Sequence, residues 1–242
     1  MNILLGFDDT DDLNAKMGTG RLVREFIGHL PDAFRTVGVV RHQHPRLADI
    51  PFTSNNSSAC AIIEMSAEGS METLRDLAME HLRTHCAPGS DPGLCVARED
   101  AVAAEMIEFG KMTTGRRTTQ KTAMGIARNV ELYGLGGTND GIIGACAAVG
   151  LTKYGWCGRF IEYGALRSLG SELAVSDVTN TGIRVLSTDR DPLVPQPTDR
   201  LINAQWMRPS LWAGAPALQV RLVEPGVWQP AHGKRKEQHG GD

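Results

Sequence analysis

Apolar positions fall into short runs and helical stripes separated by Gly, Pro and Asp. The run Ile3-Leu4-Leu5 closes on Gly6-Phe7 and then on four aspartates within residues 8–12, the pattern of a buried strand that ends in a loop. Leu22, Phe26 and Leu30, with Val23 and Ile27 beside them, recur at helical spacing over residues 20–30, and Pro31-Asp32 ends the stripe. Residues 36–40 and 59–63 read as strands joined through a polar loop, residues 50–58.

Met71, Leu74, Ala78, Leu82 and Cys86 then mark a helix, broken by Pro88-Gly89-Ser90-Asp91-Pro92-Gly93. A strand at residues 94–97 and a helix at 101–109 complete a small α+β unit over residues 66–110. A further helix is expected over residues 122–132, ahead of the Gly-rich stretch 134–150. Past Leu151 the pattern turns strand-like at residues 159–163, 173–175 and 183–186, with Asp177 and Asn180 in the turn between the last two. Residues 189–197 have a linker's composition, and residues 231–242 that of a disordered tail. Between them Trp206, Trp212, Leu218, Val220 and Leu222 are apolar enough to cover a sheet edge or form an interface.

The chemistry concentrates where the first strand ends. Asp8, Asp9, Asp11 and Asp12 repel one another, and each raises the cost of ionising its neighbours. Such a cluster calls for solvation or for a hard cation such as Mg²⁺, which takes oxygen ligands. Asp12 serves equally well as a turn former or helix cap. Gly18-Thr19-Gly20 leads into the first helix, whose free amino-terminal N–H groups favour phosphate, although Gly-x-Gly before a helix is also a common tight turn. The loop Gly136-Gly137-Thr138-Asn139-Asp140-Gly141 has the glycine content of a phosphate cradle but lacks a Walker lysine, and Gly144 with its small neighbours would let a helix approach a partner or ligand closely.

The remaining polar clusters are less specific. In the loop 50–58, Asn55 is the candidate for a cofactor contact, although such a loop often only turns the chain. Arg41-His42-Gln43-His44-Pro45-Arg46 would reach phosphate or metal, or would line a solvated loop after an edge strand. The basic run Arg116-Arg117-Thr118-Thr119-Gln120-Lys121 reads more readily as a solvated helix start than as a binding site.

Composition narrows the class. The 242 residues are 41% hydrophobic and 22% charged, as in a globular protein with a real core, and exclude a fibre or coiled coil. A net charge of −3 gives no reason to expect generic nucleic-acid binding, so DNA is not an expected partner. Five cysteines without a C-x-x-C pair read as reduced core thiols rather than a zinc site. No stretch approaches a membrane span and no secretory leader is apparent, so a cytoplasmic location is expected and no membrane partner.

The order of motifs carries a resemblance. Leu5-Gly-Phe-Asp-Asp-Thr-Asp, Met17-Gly-Thr, Ile50-Pro-Phe, Asp91-Pro-Gly and Asp140-Gly-Ile-Ile-Gly-Ala-Cys-Ala-Ala-Val-Gly resemble, in the same order, segments of the archaeal isoleucine-tRNA agmatinylcytidine synthetases. The resemblance covers roughly residues 1–190. It implies an α+β fold in which a two-segment kinase-like ATP-binding domain (residues 1–65 and 126–190) carries an inserted ferredoxin-like subdomain (residues 66–125), followed by an extension over 191–242. It further implies ATP and Mg²⁺ as cofactors. Asp8, Asp9 and Asp11 would hold metal and phosphates, Thr19 would stand at the phosphate site, and Asp140, Gly141 and Gly144 match the family's second glycine segment; Gly18, Gly20 and Asn55, read from this chain alone, complete the candidate nucleotide contacts.

The departures are concrete. Gly18 and Gly20 stand where that family has Cys and a second Thr, residues 53–58 replace a Lys-Thr-Arg-Gly-Asn-Gly-like loop, and the family's RNA-reading OB domain and zinc ribbon have no counterpart. The acceptor is therefore left open among a small molecule, a nucleotide and an RNA base, and an oligomer is left open too. Two alternatives stand beside an ATP-dependent transferase or ligase. One is a haloacid-dehalogenase-like phosphatase with Asp9 as nucleophile, and the other is a nucleotide-binding module without turnover.

Overall fold

The computed structural model describes residues 1–48, 50, 52–53, 55–188, 193–204 and 207–232. It divides into two compact units, residues 1–164 and 165–242. The architecture is mixed α/β and its strand pairing is mostly antiparallel.

Among the described residues of the first unit, six strands stand in the order β5-β4-β1-β3-β2-β6, every neighbouring pair antiparallel. They are β1 (Asn2–Asp8), β2 (Phe34–Gln43), β3 (Ser57–Met65), β4 (Gly93–Arg98), β5 (Glu131–Gly134) and β6 (Arg159–Tyr163). β4, which lies within residues 66–125, is hydrogen-bonded directly to β1, with Gly6 opposite Cys95.

The apolar run of β1 is continuous because both faces of the sheet are covered. Ile3, Leu5 and Phe7 point to one side, where α1 (Thr19–Ile27) contributes Leu22, Val23 and Phe26 and α2 (Met71–His85) contributes Leu74, Ala78 and Leu82. Leu4 points to the other side, against α3 (Ala104–Thr113), α4 (Gln120–Ile126) and α5 (Gly141–Tyr154). Each fully buried Leu or Phe in these layers contributes about 1.5–3 kcal/mol.

The helix expected over residues 122–132 stops early: α4 ends at Ile126, and β5 follows after a turn at Arg128-Asn129. Pairing of Leu132 and Tyr133 with Cys95 and Leu94 of β4 overrides the local helical spacing.

α5 is buried nearly all round and sits on the sheet with almost no side chain between. A Cβ on Gly6 would lie 2.0 Å from the Ala145 carbonyl oxygen, and one on Gly93 would lie 2.1 Å from the Gly141 carbonyl carbon.

The second unit contains β7 (Leu173–Ala174), α6 (Val175–Thr179), β8 (Arg184–Ser187), β9 (Arg200–Leu201), β10 (Ser210–Trp212), β11 (Ala215–Glu224) and β12 (Val227–Pro230). Strands β10, β11, β12, β9 and β7 follow in that order, and β8 runs parallel to β11. Asp177, expected in a turn, lies in α6, where its carboxylate accepts from the Ala174 N–H at 2.9 Å. Leu218 and Val220 are core residues of this unit, whereas Trp212 is 39% exposed. Of the expected linker, residues 189–192 lie outside the described residues, and Pro197 accepts a hydrogen bond from Ser176. Trp206 and residues 233–242 of the expected tail also lie outside them. Among the described residues no helix is long and apolar enough to cross a membrane.

The seat of α5 is directly testable. Gly6→Ala must push the helix off β1, and we expect a loss of about 3 kcal/mol or more in urea unfolding, at the upper end for overpacking. A variant within about 1 kcal/mol of the parent would show that the contact yields easily.

Candidate nucleotide site

A cavity of about 1000 Å³ opens in the first unit where β1 ends. That volume suits a ligand of nucleotide size. Asp8, Asp9, Asp11, Asp12, Asp91 and Asp140 all line it.

Each carboxylate has a distinct setting. Asp8 closes β1 beneath α5: a Cβ on Gly144 would fall 1.8 Å from its Oδ2. Burial there, reinforced by repulsion from Asp9, pushes the Asp8 carboxyl up to about 8. Asp9 has φ 50°, a left-handed conformation that Asp tolerates better than most residues. Burial first, then repulsion from Asp91, Asp11 and Asp140, pushes its carboxyl up to about 6. Asp11 is also raised by burial, although the Thr53 hydroxyl donates to its Oδ2 at 3.1 Å and pulls the other way. Asp12 is the turn former: Oδ1 accepts from the Asn14 N–H at 2.8 Å and Oδ2 from the Gly89 N–H at 3.3 Å.

Thr19 is buried at the head of α1 and lines the cavity. It is not the helix cap. Gly18 holds that position without a side-chain bond, and the Thr19 hydroxyl accepts from the Thr10 hydroxyl at 3.1 Å.

The Gly-rich loop is tied down rather than left open as a cradle. Asp91 accepts from the Thr138 N–H at 3.0 Å and from its hydroxyl, and the Gly141 N–H donates to the Asp91 carbonyl at 3.1 Å. Asp140 and Gly144 reach the cavity wall, whereas Gly141 is packed against the backbone of Asp91 and Gly93. Gly18 and Gly20 do not line the cavity, and Gly20 sits against Ile161. Asn55 lines it and accepts from Arg46 at 2.6 Å.

The structure adds residues that local pattern passed over. Arg116, Arg117, Gln120 and Lys121 line the same cavity as the carboxylates, and Gln120 Nε2 donates to Asp140 at 2.5 Å and to the Thr138 carbonyl at 2.8 Å. The basic run thus belongs to the site, joined to the Gly-rich loop through one side chain. The two histidines separate: His44 lines the cavity, whereas His42 is fully buried in β2 with Nε2 2.8 Å from the Thr152 hydroxyl. All five cysteines are free thiols, three of them in the core.

Among the described residues no three His, Cys, Asp or Glu side chains form a ready metal-ligand set.

No protein-family model matches the chain, and no curated protein matches it either. Solved structures do, and the class they define is a mixed α/β fold with a large, mostly antiparallel sheet. They are structures of TiaS, an isoleucine-tRNA agmatidine synthetase. The apo enzyme matches with TM-score 0.52 at 21% identity, over 62% of this chain and 35% of that one. The complex of TiaS with its tRNA and ATP matches with TM-score 0.53 at 22% identity, over 62% and 36%. The complex of TiaS with the tRNA, AMPCPP and agmatine matches with TM-score 0.51 at 20% identity, over 62% and 36%. The chain thus spans about a third of the length of the structures it resembles, and the likeness is one of fold.

The carboxylate settings fix a pH dependence. Asp8 and Asp9 hold protons more tightly folded than unfolded, so their contribution to stability is complete below the ordinary carboxylate value of 3.8 and is lost as pH rises through about 6 and about 8. With divalent ions chelated, the parent should lose melting temperature between about pH 4 and pH 8, and Asp8→Asn should lose less and be the more stable protein at about pH 9. An Asp8→Asn variant no more stable than the parent at high pH would contradict this assignment.

Proposed function

We propose that this chain is an ATP- and Mg²⁺-dependent enzyme that activates an acceptor by phosphoryl or nucleotidyl transfer. The observation that carries the reading is one cavity lined both by the raised carboxyls Asp8 and Asp9 and by the cations Arg116, Arg117 and Lys121. A cluster that repels its own charge, with guanidinium and ammonium groups lining the same cavity, fits a polyanion that arrives with a divalent cation. The fold likeness to a protein solved with ATP and with AMPCPP supports the same ligand.

In this reading Asp8, Asp9 and Asp11 would offer one or two carboxylate oxygens to Mg²⁺, which when bound would supply neutralisation of phosphate charge. The chain's own part is positioning. Arg116, Arg117 and Lys121 draw in phosphate oxygens, and Thr19, held by Thr10 rather than used as a cap, presents a hydroxyl beside them. The lost basic residues of 53–58 are replaced in this scheme by that basic wall.

The domain reading belongs to the same proposal. Residues 1–65 and 126–190 supply a kinase-like nucleotide domain and residues 66–125 a ferredoxin-like insertion. Walls drawn from residues 8–19, 113–121 and 138–144 support a site built by all three stretches. The acceptor is a small molecule, a nucleotide or an RNA base. The phosphatase alternative fits less well, because β1 lies between two antiparallel strands and not in the parallel sheet of that class.

Incubation with labelled ATP and identification of the products is the direct test, since AMP and ADP imply different activation chemistry. Thr19→Ala should lose about 100-fold in turnover, as for removal of one transition-state donor, with a stability loss of only about 1 kcal/mol for one hydrogen bond. Full turnover in that variant would return Thr19 to a packing role. Asp9→Asn should lose the Mg²⁺ dependence of ATP binding, and unchanged dependence by calorimetry would remove Asp9 from the metal site.

A further inference from the structure

His44 follows directly after β2, is 7% exposed and forms part of the cavity wall. Its ring is anchored at one nitrogen only, with Nε2 2.8 Å from the Ser58 hydroxyl. The other nitrogen, Nδ1, is buried without a hydrogen-bond partner. The Thr113 backbone lies near enough to favour a proton on the ring but outside hydrogen-bond geometry. Leaving such a nitrogen unsatisfied costs about 1–3 kcal/mol, and in a native pocket wall that cost asks for an explanation.

The ring's surroundings limit what the partner is. Burial first, with Arg41 nearby, holds the imidazole down at about 4, so it is neutral at physiological pH and neither attracts phosphate by charge nor gives up a proton as imidazolium. The adjoining wall, Asn55, Asn56 and Ser57, is uncharged and hydrogen-bonding. The charged groups of the cavity come from other segments, the aspartates of residues 8–12 and the basic run of 116–121.

We propose that His44 is a positioning residue for the bound nucleotide, and that its Nδ1 gains its missing partner from an uncharged polar group of the nucleoside part rather than from the phosphates. The inference rests on the nucleotide-binding reading above. It adds a residue and a division of labour: phosphates and cation at the aspartates and basic run, nucleoside at His44.

The test follows the imidazole nitrogens of ¹⁵N-labelled full-length protein by NMR during titration with ATP plus Mg²⁺ and, separately, with inorganic tripolyphosphate plus Mg²⁺. Loss of one resonance pair in a His44 variant assigns the signals. ATP should move the Nδ1 resonance and tripolyphosphate should leave it in place. His44→Gln, which keeps an atom near Nε2 and loses Nδ1, should weaken ATP binding about tenfold with tripolyphosphate binding unchanged, while His44→Asn, which keeps an atom near Nδ1, should retain most of the affinity.

ATP binding with a silent Nδ1 overturns the inference and leaves the nucleotide reading standing. Equal losses for ATP and tripolyphosphate in His44→Gln overturn it too, since a packing defect would do that. Absence of any ATP binding by the parent protein removes both. If neither variant folds, the parent titration decides, with the His44 ring signals assigned instead by their through-space contact with Ser58.

Discussion

Everything in the first unit depends on how closely α5 lies on β1 and β4. Gly6 and Gly93 on the strands, with Gly141 and Gly144 on the helix, remove the side chains that ordinarily hold a helix about 10 Å from a sheet. The gain is backbone packing across a wide contact. The consequence is electrostatic: Asp8, the last residue of β1, ends half-buried beneath the helix, in the cavity wall.

That burial sets the character of the site. A carboxylate partly desolvated beneath the helix and placed beside Asp9 gives up its proton only reluctantly, and Asp9 in turn feels Asp91, Asp11 and Asp140. The cavity is therefore a place where negative charge is costly and a cation is worth more than it would be in water. The basic segment ahead of α4 supplies fixed positive charge to the same space, tied by Gln120 to the loop that carries Asp140. Acidic and basic groups from distant parts of the chain thus share one cavity.

Much of this is legible in the chain. The pattern of β1, α1 and α2 follows from residue spacing, α5 is marked only by its small residues, and the aspartates announce a site because no packing demand explains them. Other parts are hidden for physical reasons. β5 is four residues long, and its Leu132 and Tyr133 continue a helical spacing that only pairing with β4 cancels. The basic run looks like any solvated helix start until the fold places it beside Asp140. Gly141 looks like a ligand contact in the sequence, yet its missing side chain serves the seat of the helix. Thr19 stands where a cap would, and only the bond from Thr10 shows its hydroxyl engaged elsewhere. Asp91 reads as one member of a turn, and the fold makes it the anchor of the Gly-rich loop.

The central claim is that the carboxylate cluster holds a proton until a metal-bearing nucleotide displaces it. Calorimetric titration of the protein with ATP and Mg²⁺ at neutral pH, in two buffers of different ionisation enthalpy, counts that proton. With Asp8 at about 8 and Asp9 at about 6, binding should release about one proton per site at pH 7, about half of one at pH 8 and almost none by about pH 9. Binding with no proton released, or with proton uptake at neutral pH, would contradict the account.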